Sequence, residues 1–523
     1  MLCGARLADG RTVDVRLVGE RIEAVGTAGS LGRSREPGTR LDLTGYLLLP
    51  APAEPHAHYD TALTAVPPRL DRPGGGTGGG ADGAAERAAD SRPDAPSGAD
   101  GGGTDVLPRG TGAFARDADA EEAFTRDTSH LRTPGRGTGS SGRTGGARGT
   151  GSARGTGGAG GAGGFVHAGE GTSPAGRHHP GGGTGPATPY RARAHGGPDP
   201  TRDDIQRRTT EAALLQLGQG ATALRTHVHI GDVAGLRSLE AVLQARRALR
   251  GLVDLSAVAV PRLLTGVAGA EGLAMLRDAV KMGAAAVGGC PDLDPDPGGY
   301  VEAVLDVAAE HGCPVDLHTD GGDPARLARL AAAAGGLRPR VTIGPCGGLA
   351  RLPHQVAQRA AGQLAAAGVT VVSLPQGNCG VLERPTPTAP SRMAPVRMLT
   401  AAGVTVTAGS GALRDAANQV GRGDPLEAAY LLASSGEARP HEAYEAISAR
   451  ARAAMGLPQV RVEAGFPAEL LAVRGTELAA VLSLAYSRIV VHRGRVVART
   501  SAVREYCDLA GARELGLPRQ SQG

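Results

Sequence analysis

The chain has 523 residues, enough for a large domain with accessory parts, and its 56 basic and 52 acidic side chains leave a net charge of only +4. This near balance gives no reason to expect a nucleic-acid surface, and no stretch approaches the ~18 uncharged apolar residues that a membrane-spanning helix needs. Six cysteines without CxxC spacing favour buried thiols in a reducing compartment. Because the N-terminus lacks the apolar core of a signal peptide, we expect a cytoplasmic protein.

The two ends of the chain share one pattern. Residues 1–45 contain alternating apolar and polar stretches such as DVRLVGERIEAVG, and residues 458–523 contain similar ones, such as SRIVVHRGRVVA. Alternation with a period of two predicts β-strands that bury one face. We therefore expect the two ends to pair into one small β-sandwich.

Residues 71–200 differ in kind from the rest of the chain. They are rich in Gly, Arg and Thr, they lack apolar periodicity, and the tetrapeptide RGTG occurs four times. Such a composition buries too little apolar surface to offset the entropy of ordering the chain. We predict that this low-complexity segment is a disordered insertion between two folded elements.

The segments 46–70 and 201–457 have a regular rhythm in which short apolar runs alternate with longer amphipathic patterns. Eight such runs with helices between them predict a closed (β/α)8 barrel of the TIM type. An open doubly wound sheet is the structural alternative, and the barrel is favoured because the count is eight. The runs are YLLLPAP, ATALRTHV, VDLSAVAV, AAAVGG, PVDLHT, RVTIGP, VTVVSLP and VTVTAGS.

Histidines gather at the carboxyl ends of the predicted strands, where the active sites of such barrels lie. His56 and His58 follow the first run, His227 ends the second and His318 ends the fifth. Alternate residues of a strand face the same side, so both imidazoles of the HAH motif can reach one ion. His56, His58 and His318 predict a three-histidine site for one divalent ion, Zn or Fe, with a small-molecule ligand at the barrel mouth.

Four segments resemble the cytosine-deaminase-like branch of the amidohydrolase superfamily, and the resemblance covers essentially everything outside the insertion. They are EPHAHYDTALTA, GATALRTHVHIGDVAGLRSLEAV, VDLHTDGGD and AAGVTVTAGSGALRDAANQVGRGDPLEAAYLL. The resemblance implies hydrolysis of a non-peptide C–N bond with one metal ion, held by HxH on strand one, His on strand five and Asp on strand eight. It also implies a proton-shuttling Glu after the strand-five His, a His on strand six and a substrate-reading Gln after strand three.

Four of these implied positions hold residues of different chemistry. Gly321 stands at the Glu position, Pro345 at the strand-six His position and Gly411 at the metal Asp position. Glycine and proline offer neither a side-chain ligand nor a proton carrier, and loss of a positioned acid–base group costs about 10²–10⁴-fold in rate. Arg262 stands at the Gln position, where its planar fork suits a carboxylate or phosphate, or a salt bridge at the barrel mouth.

Neighbouring side chains offer partial substitutes. Asp320, two residues after His318, is the candidate catalytic base. Gln376 and Asn378, after the seventh run, join Arg262 as candidate substrate contacts. Weaker substitutes, each with a simpler structural role, are Asp415, His229 and Cys346.

Two hypotheses of function follow from this combination. The first is an amidohydrolase scaffold whose deaminase activity is lost or strongly altered, and which serves as a binding or regulatory protein. The second is an active, divergent metal-dependent hydrolase or deaminase that uses the three-histidine site on a small cyclic amidine or amide, anionic if Arg262 reads it. The substrate and the oligomeric state stay open, a homo-oligomer included.

Overall fold

A computed structural model of the chain describes residues 1–32, 39–65, 200–231, 235–335, 340–377, 393–484 and 487–502. These residues all lie in one compact unit, Met1–Leu70 with Gly185–Gly523. The predicted disordered insertion at 71–200 lies outside the described residues, apart from Pro200.

The described residues form sixteen strands and eleven α-helices. The strands are β1 (Leu2–Arg6), β2 (Thr12–Val18), β3 (Arg21–Thr27), β4 (Leu41–Asp42), β5 (Tyr46–Pro50), β6 (Ala53–Ala57), β7 (Ala223–Ile230), β8 (Asp254–Pro261), β9 (Ala286–Gly289), β10 (Val315–Thr319), β11 (Val341–Pro345), β12 (Thr370–Ser373), β13 (Thr405–Ala408), β14 (Leu470–Arg474), β15 (Arg488–His492) and β16 (Arg495–Thr500). The helices are α1 (Arg202–Gly218), α2 (Arg237–Ala248), α3 (Gly266–Met282), α4 (Pro297–His311), α5 (Pro324–Ala334), α6 (His354–Ala366), α7 (Val396–Ala401), α8 (Pro425–Ser434), α9 (Pro440–Ile447), α10 (Ala449–Ala454) and α11 (Leu478–Leu484).

The eight strands from β6 to β13 lie side by side in chain order and pair in parallel, with helices between successive strands. The sheet closes where Ala57 at the end of β6 bridges in parallel to Gly411, just after β13. The Gly411 N–H donates to the His56 carbonyl oxygen at 3.0 Å across this junction. The predicted (β/α)8 barrel is therefore confirmed, and its first and last strands meet at the HAH motif.

Three of the return helices begin at an Asp-Pro pair. Asp296, Asp323 and Asp424 precede α4, α5 and α8, and each carboxylate accepts a hydrogen bond from a backbone N–H of the first turn. The proline that follows each of them fits the first helical position, whose N–H has no partner within the helix. These caps fix where the chain turns back after a barrel strand.

The two ends of the chain form a second sheet, in the order β16-β15-β14-β5-β1-β2-β3, with β4 beside β1. The terminal segments pair with each other as expected, but in one sheet that also includes β5, where the prediction was a sandwich of the two ends. Its own apolar core includes Val15, Ile22, Leu48, Leu470 and Val491.

The prediction that the run YLLLPAP forms the first barrel strand is wrong. Its strand, β5, pairs with β14 in the terminal sheet, and the first barrel strand is the next one, β6. Leu47 and Leu49 pack in the barrel core, whereas Leu48 packs in the core of the terminal sheet. Because β5 is buried on both faces, its sequence is continuously apolar, the pattern also expected of a barrel strand.

Candidate metal centre

Three barrel strands bring four histidines into one buried cluster. His56 lies on β6 and His58 just after it, His227 lies on β7 and His318 on β10. At most 1% of each side chain is exposed, and one ligand atom from each residue lies within 4.8 Å of those of the other three. The three predicted metal ligands therefore meet in one place, together with a fourth imidazole.

The strand β6 has a β-bulge next to His56 and His58. Between Glu54 and Ala57, β6 has one residue more than the matching stretch of β7, which is a β-bulge. Bulges redirect side chains and are common beside functional sites in barrels. The buried Glu54 side chain connects β6 to the residues after β13, since it accepts hydrogen bonds from the backbone N–H groups of His56 and Ser410, both at 2.9 Å. Burial raises the pKa of Glu54 to about 7.

The rings of the cluster are in mutual contact. The Nε2 atoms of His58 and His318 are 3.1 Å apart. The His227 ring centroid lies 4.0 Å from that of His56 and 4.5 Å from that of His318. His227 thus packs against predicted ligands from two different strands and belongs to the same cluster.

All four imidazoles are held in the neutral form. Burial lowers the pKa of His56, His58 and His227 well below the usual value, and neighbouring rings lower it further because charged rings would repel one another. Burial also lowers the pKa of His318, to about 4, although the Asp316 carboxylate opposes this change. Neutral imidazole is the form that binds a metal ion.

A buried ion pair lies beside the cluster. Asp316, two residues before His318 on β10, lies 3.2 Å from the Arg225 guanidinium and 3.3 Å from His227 Nε2. Burial raises the pKa of Asp316 to about 6, and Arg225 opposes this rise. The pair gives His227 a carboxylate neighbour of the kind that orients metal-binding imidazoles.

A second buried carboxylate, Asp60, lies two residues after His58. The buried Asp60 accepts hydrogen bonds from the backbone N–H of His229 at 3.0 Å and contacts the Nδ1 atom of that ring at 2.9 Å. Burial opposes ionisation of Asp60, but the His229 and His58 rings hold its pKa below the usual value. His229 therefore partners Asp60 and lies outside the four-histidine group.

The glycines at two of the replaced positions have left-handed backbones. At Gly321, with φ of +71°, a Cβ atom would meet the Leu349 side chain and the Cys346 backbone at 3.4 and 3.5 Å. At Gly411, with φ of +70°, it would meet the Gly377 carbonyl oxygen and the Leu374 side chain, both at 3.2 Å. Left-handed backbone favours glycine, so a side chain at either position would be strained.

The other predicted site residues that the structure describes are Asp320, Arg262 and Gln376. The Asp320 carboxylate forms an ion pair with the Arg351 guanidinium, and its backbone N–H donates to Asp292. Arg262 is exposed at the end of β8. The Gln376 side-chain amide donates to the Asp424 carbonyl oxygen at 2.6 Å, and Asn378 lies outside the described residues. The roles assigned to these four residues stay predictions.

The weaker substitutes have structural partners. The Asp415 carboxylate accepts from the backbone N–H groups of Ala417 and Asn418, at 2.8 and 3.0 Å, and from the Thr61 hydroxyl. The thiol of Cys346 is fully buried, and burial raises its pKa far above the usual value. Neither side chain joins the histidine cluster.

The cluster fits a divalent ion that prefers nitrogen ligands. In a tetrahedral zinc site with Zn–N bonds of about 2.0–2.1 Å, neighbouring nitrogens lie about 3.3 Å apart, close to the 3.1 Å between His58 and His318. Within the described part of the chain, six buried ring nitrogens of the four histidines have no hydrogen-bond partner. Imidazole suits Zn, Fe, Cu and Ni alike, so the donor set does not single out one metal.

Comparison with known proteins identifies the family. The chain matches the Amidohydrolase family, Amidohydro_3, over residues 40–498. A pterin deaminase from Rhizobium rhizogenes is 27% identical over 311 residues, which are 57% of this chain and 70% of that protein. The structure of 5-methylcytosine deaminase from Klebsiella pneumoniae with 5-fluorocytosine superposes with a TM-score of 0.63 at 18% identity, covering 98% of this chain and 99% of that one. That of N-isopropylammelide isopropylaminohydrolase from Burkholderia multivorans gives 0.62 at 22% identity, covering 95% and 97%.

The chain belongs to the amidohydrolase family, as its sequence motifs predicted. The two solved structures are less than 25% identical to it and support the barrel fold alone. The family is metal-dependent, which agrees with a cluster of four neutral imidazoles at the barrel mouth. Among the described residues, every helix is too short or too polar to span a bilayer.

Proposed function

We propose that this chain keeps the metal-binding part of an amidohydrolase and has lost, or strongly altered, deaminase activity, so that it acts as a scaffold that binds a small molecule. One observation carries the proposal. Among the described His, Cys, Asp and Glu side chains, the group close enough to share an ion consists of four imidazoles without a carboxylate. The predicted cytoplasmic location stays a prediction.

The groups that move protons in this family have no evident replacement near the cluster. Gly321, Pro345 and Gly411 carry no titratable side chain. The Asp320 carboxylate is held by Arg351, and a carboxylate in an ion pair is a poorer proton acceptor because the cation stabilises its charge. A metal ion held by His56, His58 and His318 would supply Lewis acidity, but hydrolysis also requires a positioned acid and base.

A second candidate function rests on the relatives. The similarity to a pterin deaminase extends over 57% of the chain, which favours an active hydrolase of a nitrogen heterocycle. In that case Asp320 would have to leave Arg351 and act as the base, and the exposed Arg262 would bind an anionic group of the substrate. This function requires a rearrangement of the barrel mouth.

The full chain, purified and loaded with zinc, should be assayed for ammonia release from pterin, cytosine and 5-methylcytosine, and for amine release from N-isopropylammelide. We expect no release above the rate without protein. The matched control is His318→Ala, which removes one metal ligand and leaves the replaced positions unchanged. Release by the parent chain that a chelator and His318→Ala both abolish would refute the loss of activity and support the second candidate.

A further inference from the structure

The fourth imidazole changes the kind of metal site that the chain can build. A catalytic zinc site keeps one coordination position open beside three protein ligands, whereas a structural site is closed by four. His227 lies among the three predicted ligands, with its ring centroid 4.0 Å from that of His56 and 4.5 Å from that of His318. It comes from β7, a strand to which the family resemblance assigns no ligand.

The alternative is that the four rings satisfy one another through hydrogen bonds. The 3.1 Å contact between the Nε2 atoms of His58 and His318 is compatible with one such bond. However, both ring nitrogens of His56 are buried and lack a hydrogen-bond partner among the described residues, whereas the Nε2 atom of His227 has the Asp316 carboxylate 3.3 Å away. A buried polar group left unsatisfied costs about 1–3 kcal/mol, so the imidazoles alone make an unfavourable arrangement. An ion bonded to one nitrogen of each ring would give one nitrogen of His56 a partner that the other rings do not supply.

The surrounding charges also suit a closed cationic centre. Four neutral imidazoles contribute no negative charge to offset a dication. Asp316, 3.3 Å from His227 Nε2, and Asp60, two residues after His58 and 2.9 Å from His229 Nδ1, supply carboxylates beside the cluster. Carboxylates beside metal-binding histidines orient the rings and strengthen them as ligands.

We propose that His227 occupies the coordination position that the missing strand-eight carboxylate would fill, so that the chain binds one divalent ion such as zinc through four imidazoles in a closed, structural site. This inference rests on the proposed loss of hydrolytic activity and gives it a cause. With His56, His58, His227 and His318 as ligands, the tetrahedral ion has no position left for water or substrate.

The test is a crystal structure of the zinc-loaded full chain with anomalous data at the zinc edge, together with zinc titrations. We expect one ion bonded to all four imidazoles. Removing a residue that only hydrogen-bonds to a metal ligand typically weakens metal binding about 10–100-fold, and His227→Ala should weaken zinc binding by more than this. The variant should also show a smaller rise in Tm on addition of zinc. The control His229→Ala removes a neighbouring imidazole outside the group and should leave the stoichiometry at one.

Two outcomes would overturn the inference. One is a zinc ion bound by three imidazoles and a water molecule, with His227 beyond bonding distance. The other is unchanged zinc affinity in His227→Ala. If that variant does not fold, the crystal structure of the parent chain decides by itself. Ammonia release by the parent chain would refute the proposed function, whereas an inactive chain with a three-histidine site would refute only the role of His227.

Discussion

Replacing Gly411 by Asp returns a carboxylate to the position where the family resemblance implies a metal ligand. We expect this variant to lose stability without gaining deaminase activity. Gly411 has φ of +70°, a left-handed conformation that costs an L-residue about 1–2 kcal/mol, somewhat less for Asp. Its Cβ would also lie 3.2 Å from both the Gly377 carbonyl oxygen and the Leu374 side chain.

The expected size of the effect follows from these two contributions. A carboxylate introduced beside a carbonyl oxygen is repelled by it, and the backbone strain adds to this repulsion. We expect a total loss of about 1–2 kcal/mol, which for a folded unit of this size corresponds to a fall in Tm of about 1–3 °C. Ammonia release should stay at background, because the proton carrier absent at Gly321 is not restored by a change at Gly411.

Thermal unfolding and ammonia release should be measured for Gly411→Asp and for Gly411→Ala, both loaded with zinc. The Ala variant carries the same backbone strain without a carboxylate. The difference between the two variants therefore measures the effect of the carboxylate alone. The reasoning is refuted if Gly411→Asp is as stable as the parent chain and releases ammonia in a zinc-dependent manner.

Three further predictions concern the scaffold. Arg488 donates to both oxygens of the Asp424 carboxylate, at 2.8 and 2.6 Å. Arg488→Ala should lower the free energy of unfolding by about 3–5 kcal/mol, because it leaves that carboxylate without its cation. A change in Tm below 1 °C would contradict this prediction. Leu317 is fully buried in the barrel, and Leu317→Ala should cost about 2–5 kcal/mol in urea unfolding; a loss under about 1 kcal/mol would show that the core collapses around the gap. Glu469 contacts His492 Nδ1 at 2.8 Å, and although burial opposes it, this contact lowers the carboxyl pKa below its usual 4.5. The stabilisation of the fold by ionised Glu469 is therefore present above pH 4.5 and is lost as the pH falls through the lowered pKa. Glu469→Gln should reduce the fall in Tm at acidic pH. A pH profile of Tm that is unchanged in this variant would argue against the pair.

The sequence predicted the barrel because helices and short apolar runs alternate along it, a pattern that depends only on neighbouring residues. It misassigned YLLLPAP because burial on both faces gives the same continuous apolar run in a barrel strand and in β5. Leu48 faces the core of the terminal sheet while Leu47 and Leu49 face the barrel core, and no local pattern distinguishes that arrangement from a strand between barrel and helices.

At the candidate site, the sequence predicted the ligands that a local motif marks. His56 and His58 share one face of a strand, and the resemblance identified His318. His227 was noted at the end of the second strand but not as a ligand, because its inclusion depends on the register between β6 and β7, where Ala57 pairs with Thr226. A one-residue shift of that register would turn His227 to the opposite face of its strand.

The retained and the replaced groups differ in what they can bind. Nitrogen donors from β6, β7 and β10 remain and lie within 4.8 Å of one another, whereas the positions at the ends of β10, β11 and β13 that would hold carboxylates or a proton carrier are occupied by glycine and proline. Buried imidazole nitrogens without a hydrogen-bond partner are costly unless an ion binds them, and both nitrogens of His56 lack one among the described residues, so the cluster favours metal binding. Proton transfer has no comparable support, since the carboxylates beside the cluster already have partners: Asp316 pairs with Arg225, Asp60 with His229, and Glu54 accepts from the backbone N–H groups of His56 and Ser410. Under the proposed function, binding of a metal ion and catalysis by it are separate properties of this scaffold.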